Sequence, residues 1–374
     1  MFWDKNLFFI RLCVLVSAFY YIANCFPLDS DRTQSPNYKE GKYQNLVYDS
    51  QLIDKSFLTV LKWKLFGPHD PVTIEGLTDE LPLVLERKSQ DLIAPEGKLR
   101  IVWLGHSTAW ISITKEGKTT NLITDPIFES PIVISRWVQL PIQKESLPAV
   151  DYALISHAHR DHLDTESLRY LKSKNPNLKI LLPAGMKSFS EDEKLGNVTV
   201  QDWGQITQTS MVKIAFLPAH HWSRMGISDG NQYFWGSYSI EALGKTLYFG
   251  GDTGYSLHFK DVSKRIGHPI DLALLPIGAF KPRWFMKYAH ISPEEAIVAA
   301  KDLNAKAMAP IHWGTFPLGD DLPQEPLLEL RKHLIFPDKP DIHGVHPQYT
   351  GISWGEKDGV KVLPWTIGSG IDLN

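Results

Sequence analysis

Between Ser156 and Asp164 the chain reads Ser-His-Ala-His-Arg-Asp-His-Leu-Asp, which puts His157, His159, Asp161 and His162 inside six consecutive residues, just after the apolar run Asp151-Tyr-Ala-Leu-Ile-Ser156. No other stretch constrains the fold as much. Residues two apart at a strand end can point into one pocket, and imidazole nitrogen with carboxylate oxygen suits zinc or a similar borderline divalent ion. A solvated loop that collects histidines by chance seldom interleaves an aspartate at ligand spacing.

Any such metal site has to be built without thiolate. Both cysteines, Cys13 and Cys25, fall in the first 25 residues, so His, Asp and Glu remain as donors. With 374 residues, 43% hydrophobic and 22% charged, the chain can bury one large core or two modest ones. The 39 Lys plus Arg against 42 Asp plus Glu leave a net charge of -3. No global basic field holds a polyanion, and nucleic acid is not an expected partner.

Residues 1–25 look like a signal peptide or membrane anchor. Lys5 and Arg11 precede the apolar stretch Leu12 to Ile22, and Ala23 and Cys25 are small residues at a cleavage position. The stretch is shorter than the roughly 20 residues of a membrane span. An uncleaved anchor starting at Leu7, or a buried N-terminal helix, is the alternative. The leader makes the expected location periplasmic, secretory or membrane-associated.

Residues 26–97 read as an extension packing on the main domain, with Tyr38, Tyr43, Tyr48 and Trp63-Lys-Leu-Phe66 but no catalytic pattern. The main domain is expected over 98–374. Leu99 to Leu104 alternates, and Ala109 to Thr114 and Thr119 to Thr124 flank a Lys115-Glu-Gly-Lys118 turn as a β-hairpin. Further strands are predicted at Val212 to Leu217, Tyr233 to Ile240, Thr246 to Phe249, Leu272 to Pro276 and Ala307 to Ile311. Helices are predicted after Asp164 and after Ser292, the second with Ser292 as N-cap, Pro293 in the first turn and Glu295 completing a capping box. Hairpins followed by alternating strands and helices suit an α/β fold with two sheets face to face and helices outside.

Four further islands offer a ligand-type residue after a predicted strand: Pro218-Ala-His-His-Trp222, Phe249-Gly-Gly-Asp-Thr-Gly-Tyr255, Tyr288-Ala-His-Ile-Ser-Pro293 and Pro310-Ile-His-Trp-Gly-Thr-Phe316. Singly each has an ordinary explanation, such as a hydrogen-bonded rim histidine or, for Asp252, a turn residue between glycines. Together with the first motif they form a set.

That set resembles the H-x-H-x-D-H pattern of the metallo-β-lactamase superfamily. Within it, Trp103-Leu-Gly-His-Ser-Thr108, Thr124-Asp-Pro-Ile-Phe128, Gly250 to Tyr255, Pro276 to Phe280, Pro282-Arg-Trp-Phe-Met-Lys-Tyr288 and Ile311 to Phe316 are similar to the N-acylphosphatidylethanolamine-hydrolysing phospholipase D family. The likeness covers about Leu99 to Phe316 and fades on either side. It implies a four-layer αββα sandwich with His157, His159 and His221 on one zinc, Asp161, His162 and His312 on a second, and Asp252 bridging. His220 is the alternative to His221; the family pattern has its histidine directly before the tryptophan, here Trp222. Iron or manganese also suits nitrogen and oxygen donors. The resemblance further implies a homodimer and a phospholipid substrate, cleaved to N-acylethanolamine and phosphatidate.

Two cations about 3.5 to 4 Å apart present hydroxide at neutral pH and stabilise both attacking and leaving oxygens at phosphorus. A metal-bridging hydroxide is therefore the expected nucleophile, and the runs around Ser107, Ser156 and Ser237 lack the Gly-x-Ser-x-Gly elbow of a serine hydrolase. Asp161, Asp125 and His290 are the candidate catalytic residues. Asp125 either accepts a hydrogen bond from a ligating histidine or is a turn aspartate, and His106 has the same two readings. His290 either hydrogen-bonds the reacting phosphate and protonates the leaving alkoxide, or is a loop residue. The run Lys281 to Tyr288 is either a lipid-surface loop, with Trp284 and Phe285 in the interface and Lys281, Arg283 and Lys287 on phosphate, or core packing. The rivals to a lipid phosphodiesterase are a lactonase or small-molecule phosphodiesterase of the same superfamily, and a non-catalytic envelope protein braced by zinc.

Overall fold

A computed structural model describes residues 34–46, 57–71, 77, 79–130, 134–226, 228–335, 355–363 and 366–374. The leader expected over residues 1–25 lies outside the described residues, as does Tyr48. A short hairpin, β1 (Tyr38–Lys39) and β2 (Lys42–Tyr43), is followed by helix α1 (Phe57–Phe66). Then come β3 (Leu99–Gly105), β4 (Thr108–Lys115), β5 (Lys118–Thr124), β6 (Tyr152–Leu154), α2 (Thr165–Lys174), β7 (Lys179–Pro183), α3 (Lys187–Asp192) and β8 (Val198–Gln201). The second half runs β9 (Ile206–Gln208), β10 (Lys213–Leu217), β11 (Ser237–Ala242), β12 (Lys245–Phe249), α4 (His258–Ile266), β13 (Leu272–Pro276), α5 (Arg283–Met286), α6 (Pro293–Asp302) and β14 (Ala307–Ile311). Helix α7 (Glu325–Lys332) and strands β15 (Gly355–Lys357), β16 (Val360–Val362) and β17 (Gly370–Leu373) follow.

Two mixed sheets form, one ordered β17-β3-β4-β5-β6-β7-β8 and the other β15-β16-β14-β13-β12-β11-β10-β9. Period-two alternation builds the layers. In the first sheet Leu99, Ile101 and Trp103, Ile111, Leu154 and Leu181 turn inward to meet Phe216, Tyr238, Leu247 and Leu274 of the second sheet. Their neighbours Val102 and Leu104, Trp110, Ala153, Ile180 and Leu182 face outward onto Leu168 and Leu171 of α2 and Phe189 of α3. On the far face of the second sheet, Phe259 and Val262 of α4 and Ala296, Ile297 and Ala300 of α6 complete the fourth layer. The architecture is the expected αββα sandwich.

Both predicted helices start where the sequence places them, the second on its predicted cap and the first on a cap that the structure adds. Asp164 accepts from Ser167 N at the start of α2, and Ser292 and Glu295 close a reciprocal capping box at α6. The run Tyr233 to Ile240 behaves differently from its pattern. Strand β11 begins only at Ser237, because the preceding backbone is committed to the first sheet: Phe234 N donates to Ala184 O and Gly236 N to Ser156 O. Gly236 cannot carry a side chain there, since a Cβ would lie 2.4 Å from the Phe216 ring. The aromatic run therefore crosses between the sheets as a buried connection.

The C-terminal strand was not legible in sequence. Its Gly370 to Leu373 pairs antiparallel with Val102 to Leu99, so the last residues close the sheet that the first motif residues grow from. One buried hydroxyl ties the two sheets beside the site: Tyr238 Oη donates to Ile155 O at 2.9 Å. Replacing it strands a buried carbonyl, so Tyr238→Phe is expected to lower stability by about 1 to 3 kcal/mol, read from urea unfolding midpoints at unchanged slope.

Candidate metal centre

The motif residues occupy the loop that leaves β6 and enters α2. A tight turn, with His162 N and Leu163 N both donating to His159 O at 2.9 and 2.8 Å, folds that loop so that four side chains face one side. His221 follows β10, Asp252 follows β12 and His312 follows β14, so each partner sits just beyond the end of a strand of the second sheet. Strands of both sheets end at this edge, and their side chains converge there.

The seven candidate metal ligands of the sequence, joined by His106, fall into two groups. His157, His159, His221 and Asp252 lie with donor atoms within 4.8 Å of one another, as do His106, Asp161, His162 and His312. Between the groups stands Asp252, with Oδ2 3.2 Å from His162 Nε2 and Oδ1 3.0 Å from His312 Nε2. Its Oδ2 is also 3.9 Å from Nε2 of both His157 and His221. His220 stays outside both groups: its backbone N donates to Thr253 Oγ1, and its carbonyl accepts from Gly254 N.

The donor atoms fit a divalent ion. His157 Nε2 and His221 Nε2 lie 2.8 and 3.3 Å from His159 Nδ1, and His162 Nε2 lies 3.3 Å from His312 Nε2. Facing lone pairs at these separations repel unless a cation or proton sits among them. Tetrahedral coordination at about 2.0 to 2.1 Å puts ligand nitrogens roughly 3.3 Å apart, close to what is seen.

Hydrogen bonds behind the rings decide which nitrogens face inward. His221 Nδ1 donates to Ala289 O at 2.9 Å. His162 Nδ1 donates to Asp125 Oδ2 at 2.7 Å, and His157 Nδ1 donates to Ser156 Oγ at 2.9 Å, whose hydroxyl in turn donates to Asp125 Oδ2 at 2.6 Å. Asp125 thus orients two rings at once, which is the arrangement that fixes a ligating tautomer. It is fully buried and also receives Ser156 N at 2.7 Å. A plain turn aspartate would do none of this.

Protonation follows from burial and charge. Burial pushes His157 and His221 well below the ordinary histidine range and His159 down to about 4, so all three are neutral at pH 7 and ready to ligate. His162 is held well above its ordinary value: burial opposes the charge, but Asp252 and Asp161 outweigh it. Asp252 and Asp161 lie well below the carboxylate range, where burial is overcome chiefly by His162.

His106 is more deeply involved than its sequence context signalled. Its ring Nε2 lies 3.1 Å from Asp161 Oδ2, its backbone N donates to Thr315 Oγ1, and its carbonyl accepts from His312 N. Burial lowers its pKa to about 3. It is a neutral brace for Asp161, or a fourth donor in that group. His290 has Nδ1 3.8 Å from Asp252 Oδ2 and stands at the rim of the cleft.

The Lys281 to Tyr288 run divides between its two readings. Lys281 is buried, with Nζ donating to Glu325 Oε1 at 2.6 Å and to Pro71 O at 2.7 Å. Arg283 binds Glu295 Oε2 at 2.8 Å and His290 O at 2.9 Å. Phe285 is buried and stacks on Trp63 at 4.5 Å. These three side chains are therefore committed inside the protein, where they pin the loop that carries Ala289 and His290. Trp284 and Tyr288 keep 44% and 36% of their surface exposed, and the Lys287 ammonium lies over the Tyr288 ring.

Five further residues at the site carried no catalytic signal in the sequence. Asn45, in the extension, donates to His221 O and accepts from His221 N. Val60 and Trp63 of α1 line the cleft above the donors. Arg160 and Arg224 line the same cleft.

A profile of the Beta-lactamase superfamily domain matches residues 120–313. The chain belongs to the metallo-β-lactamase superfamily. It is 36% identical over 240 residues to the Caenorhabditis elegans protein named N-acyl-phosphatidylethanolamine-hydrolyzing phospholipase D 1, covering 60% of this chain and 66% of that one. An uncharacterized Mycobacterium tuberculosis protein is 33% identical over 310 residues, 79% of each chain. The Saccharomyces cerevisiae protein named N-acyl-phosphatidylethanolamine-hydrolyzing phospholipase D, mitochondrial, is 35% identical over 235 residues, 60% of this chain and 49% of that one. Among solved structures, Igni18, a metallo hydrolase of Ignicoccus hospitalis, shares the fold with a TM-score of 0.52 at 19% identity, covering 74% of this chain and 99% of that one. The chain is a metal-dependent hydrolase, and its His and Asp clusters have the donor chemistry and spacing that suit divalent metal.

Asp125→Asn removes one acceptor from the pair of rings it orients. Metal affinity is expected to fall about 10- to 100-fold, measured by competition with a chelator while circular dichroism stays unchanged. Because His162 holds an extra proton that a metal ion must displace, metal binding at pH 7 is expected to release protons and to weaken as pH falls. Calorimetric heats that vary with the ionisation enthalpy of the buffer would show this, whereas buffer-independent heats would mean His162 is already neutral.

Proposed function

We propose that this chain is a zinc-dependent phosphodiesterase acting on N-acylphosphatidylethanolamine-type phospholipids, releasing N-acylethanolamine and phosphatidate. The observation that carries the reading is a cleft that joins two chemistries. On its floor lie His159, Asp161 and Asp252, and its walls include Val60, Trp63, Phe285, Met286 and Leu318. Charged donors under an apolar wall suit a phosphate ester on a long hydrocarbon. The printed names of the nematode and yeast relatives support the same substrate class.

In this reading His157, His159 and His221 hold one ion, Asp161, His162 and His312 the other, and Asp252 lies between. Bound zinc would supply Lewis acidity and lower the pKa of water. The side chain of Asp161 keeps 18% of its surface exposed, which suits an open position for substrate more than a closed structural site. Asp125 fixes the rings of His157 and His162 throughout turnover. His290, beside Asp252 at the cleft rim, is placed to hydrogen-bond a phosphoryl oxygen and to give a proton to the departing ethanolamine oxygen. Overall, water oxygen bonds to phosphorus, the bond from phosphorus to the ethanolamine oxygen breaks, one water proton leaves on the alcohol and the other passes to the phosphomonoester or to solvent. Trp63, Phe285 and Met286 keep bulk water away from the acyl chain.

No helix among the described residues is long and apolar enough to cross a membrane. We assign contact with the lipid surface to the exposed Trp284, Lys287 and Tyr288 beside the cleft, together with Phe66, 81% exposed at the end of α1. Export or anchorage through residues 1–25 would bring that face to lipid.

Zinc-loaded full-length protein in mixed micelles is expected to yield N-acylethanolamine and phosphatidate, identified by mass. His159→Ala should abolish turnover while the fold persists. A folded, zinc-loaded protein that leaves the phosphodiester intact but opens a small lactone would replace this reading with the lactonase one.

A further inference from the structure

The cleft above the donor groups, about 330 Å³ in volume, has two unlike walls. One is made by Trp63, Phe285 and Met286, and the other by Arg160 and Arg224. Among the described residues, Asp161 and Asp252 are the acidic ones in its lining, and both belong to the metal donor groups. With cations on those carboxylates, the two guanidiniums are the charged side chains of the described lining that remain to meet an anion. Such a cleft selects an anion and orients an amphiphile along its length.

Both guanidiniums are held in place. Arg160 Nε donates to Met225 O at 3.3 Å. The Arg224 guanidinium lies over the Trp222 ring at 5.2 Å, and that ring meets His159 edge-on at 4.5 Å. The loop carrying Arg224 is braced from below and tied to the loop carrying Arg160: Asp229 accepts from Met225 N and Gly226 N, Asn231 Oδ1 accepts from Ser223 N, and Ser223 Oγ accepts from Ala158 N. Two cationic forks are thereby set beside His159 and Asp161 by the same hydrogen bonds that shape the donor groups.

We propose that Arg160 and Arg224 are specificity-determining residues that bind the phosphate group of the substrate and retain the phosphomonoester product. This rests on the phosphodiesterase reading above. A planar guanidinium meets two phosphate oxygens at once, which a lysine cannot reproduce. Hydrolysis raises the charge on the lipid phosphate, so the product gains most from the pair. A diester and a neutral lactone would be told apart by these residues, with the apolar wall indifferent to the difference.

The test is calorimetric titration of zinc-loaded full-length protein with a short-chain phosphatidate, with diacylglycerol of the same chain length as the uncharged control and with inorganic phosphate. Arg160→Gln and Arg224→Gln are each expected to weaken phosphatidate binding about tenfold, the size of a charged hydrogen bond. Zinc content and diacylglycerol binding should stay as in the wild type, and Arg224→Lys should recover only part of the loss. Inorganic phosphate following the same order would show that the arginines read the phosphate itself. Equal phosphatidate affinity in all four proteins would overturn the assignment. Arginine-dependent phosphate binding in a wild type that hydrolyses no lipid diester would instead sink the lipid reading and leave the anion site standing.

Discussion

A single buried carboxylate organises the site. Asp125 leaves the end of β5 and accepts three hydrogen bonds, from Ser156 N, Ser156 Oγ and His162 Nδ1. A carboxylate taken out of water is costly unless its lone pairs are used, so the surrounding donors have little freedom to move. Through Ser156 the same carboxylate reaches His157. The position of one strand end relative to its neighbour thus becomes the orientation of two ligand rings.

Backbone strain marks the same region. His106, Asp125 and His312 have φ of 51°, 33° and 62°, in the left-handed range that non-glycine residues avoid. Each is held there by the fold. His106 is clamped between Thr315 Oγ1 and the backbone of His312, and Gly278 packs so closely that a Cβ on it would lie 2.0 Å from His312 O. Strain of this kind survives where surrounding contacts over-determine the conformation, and the reward is donor atoms aimed at one point.

The segments outside the superfamily pattern are drawn into the centre. Asn45 holds the backbone of His221, Trp63 stacks on Phe285, and Asp70 and Pro71 receive Arg283 N and Lys281 Nζ. The cationic loop from Lys281 is therefore chiefly a strut. Its pairing with Glu295 and Glu325 braces the carbonyl of Ala289, which orients His221. The extension and the loop together make the apolar wall, so the depth of the cleft depends on chain far from the ligands in sequence.

The fold class, the principal strands and the two helices after Asp164 and Ser292 were legible because they rest on local rules: alternation for β3 to β5 and the capping box of Ser292 with Glu295. The His-x-His-x-Asp-His cluster was legible for the same reason, since its residues are neighbours in sequence. What only tertiary structure decided is everything that needs two distant strands to end at one edge. That includes the placing of His221 and not His220 among the clustered donors, the service of Asp125 to two rings, the pairing of Lys281 and Arg283 with Glu325 and Glu295, and the arrival of Arg160 and Arg224 in one cleft. A linear sequence states which donors exist. Register and packing decide which of their atoms face each other, because those depend on carbonyls and carboxylates from other strands and loops, as Asp125 and Ala289 show for His162 and His221.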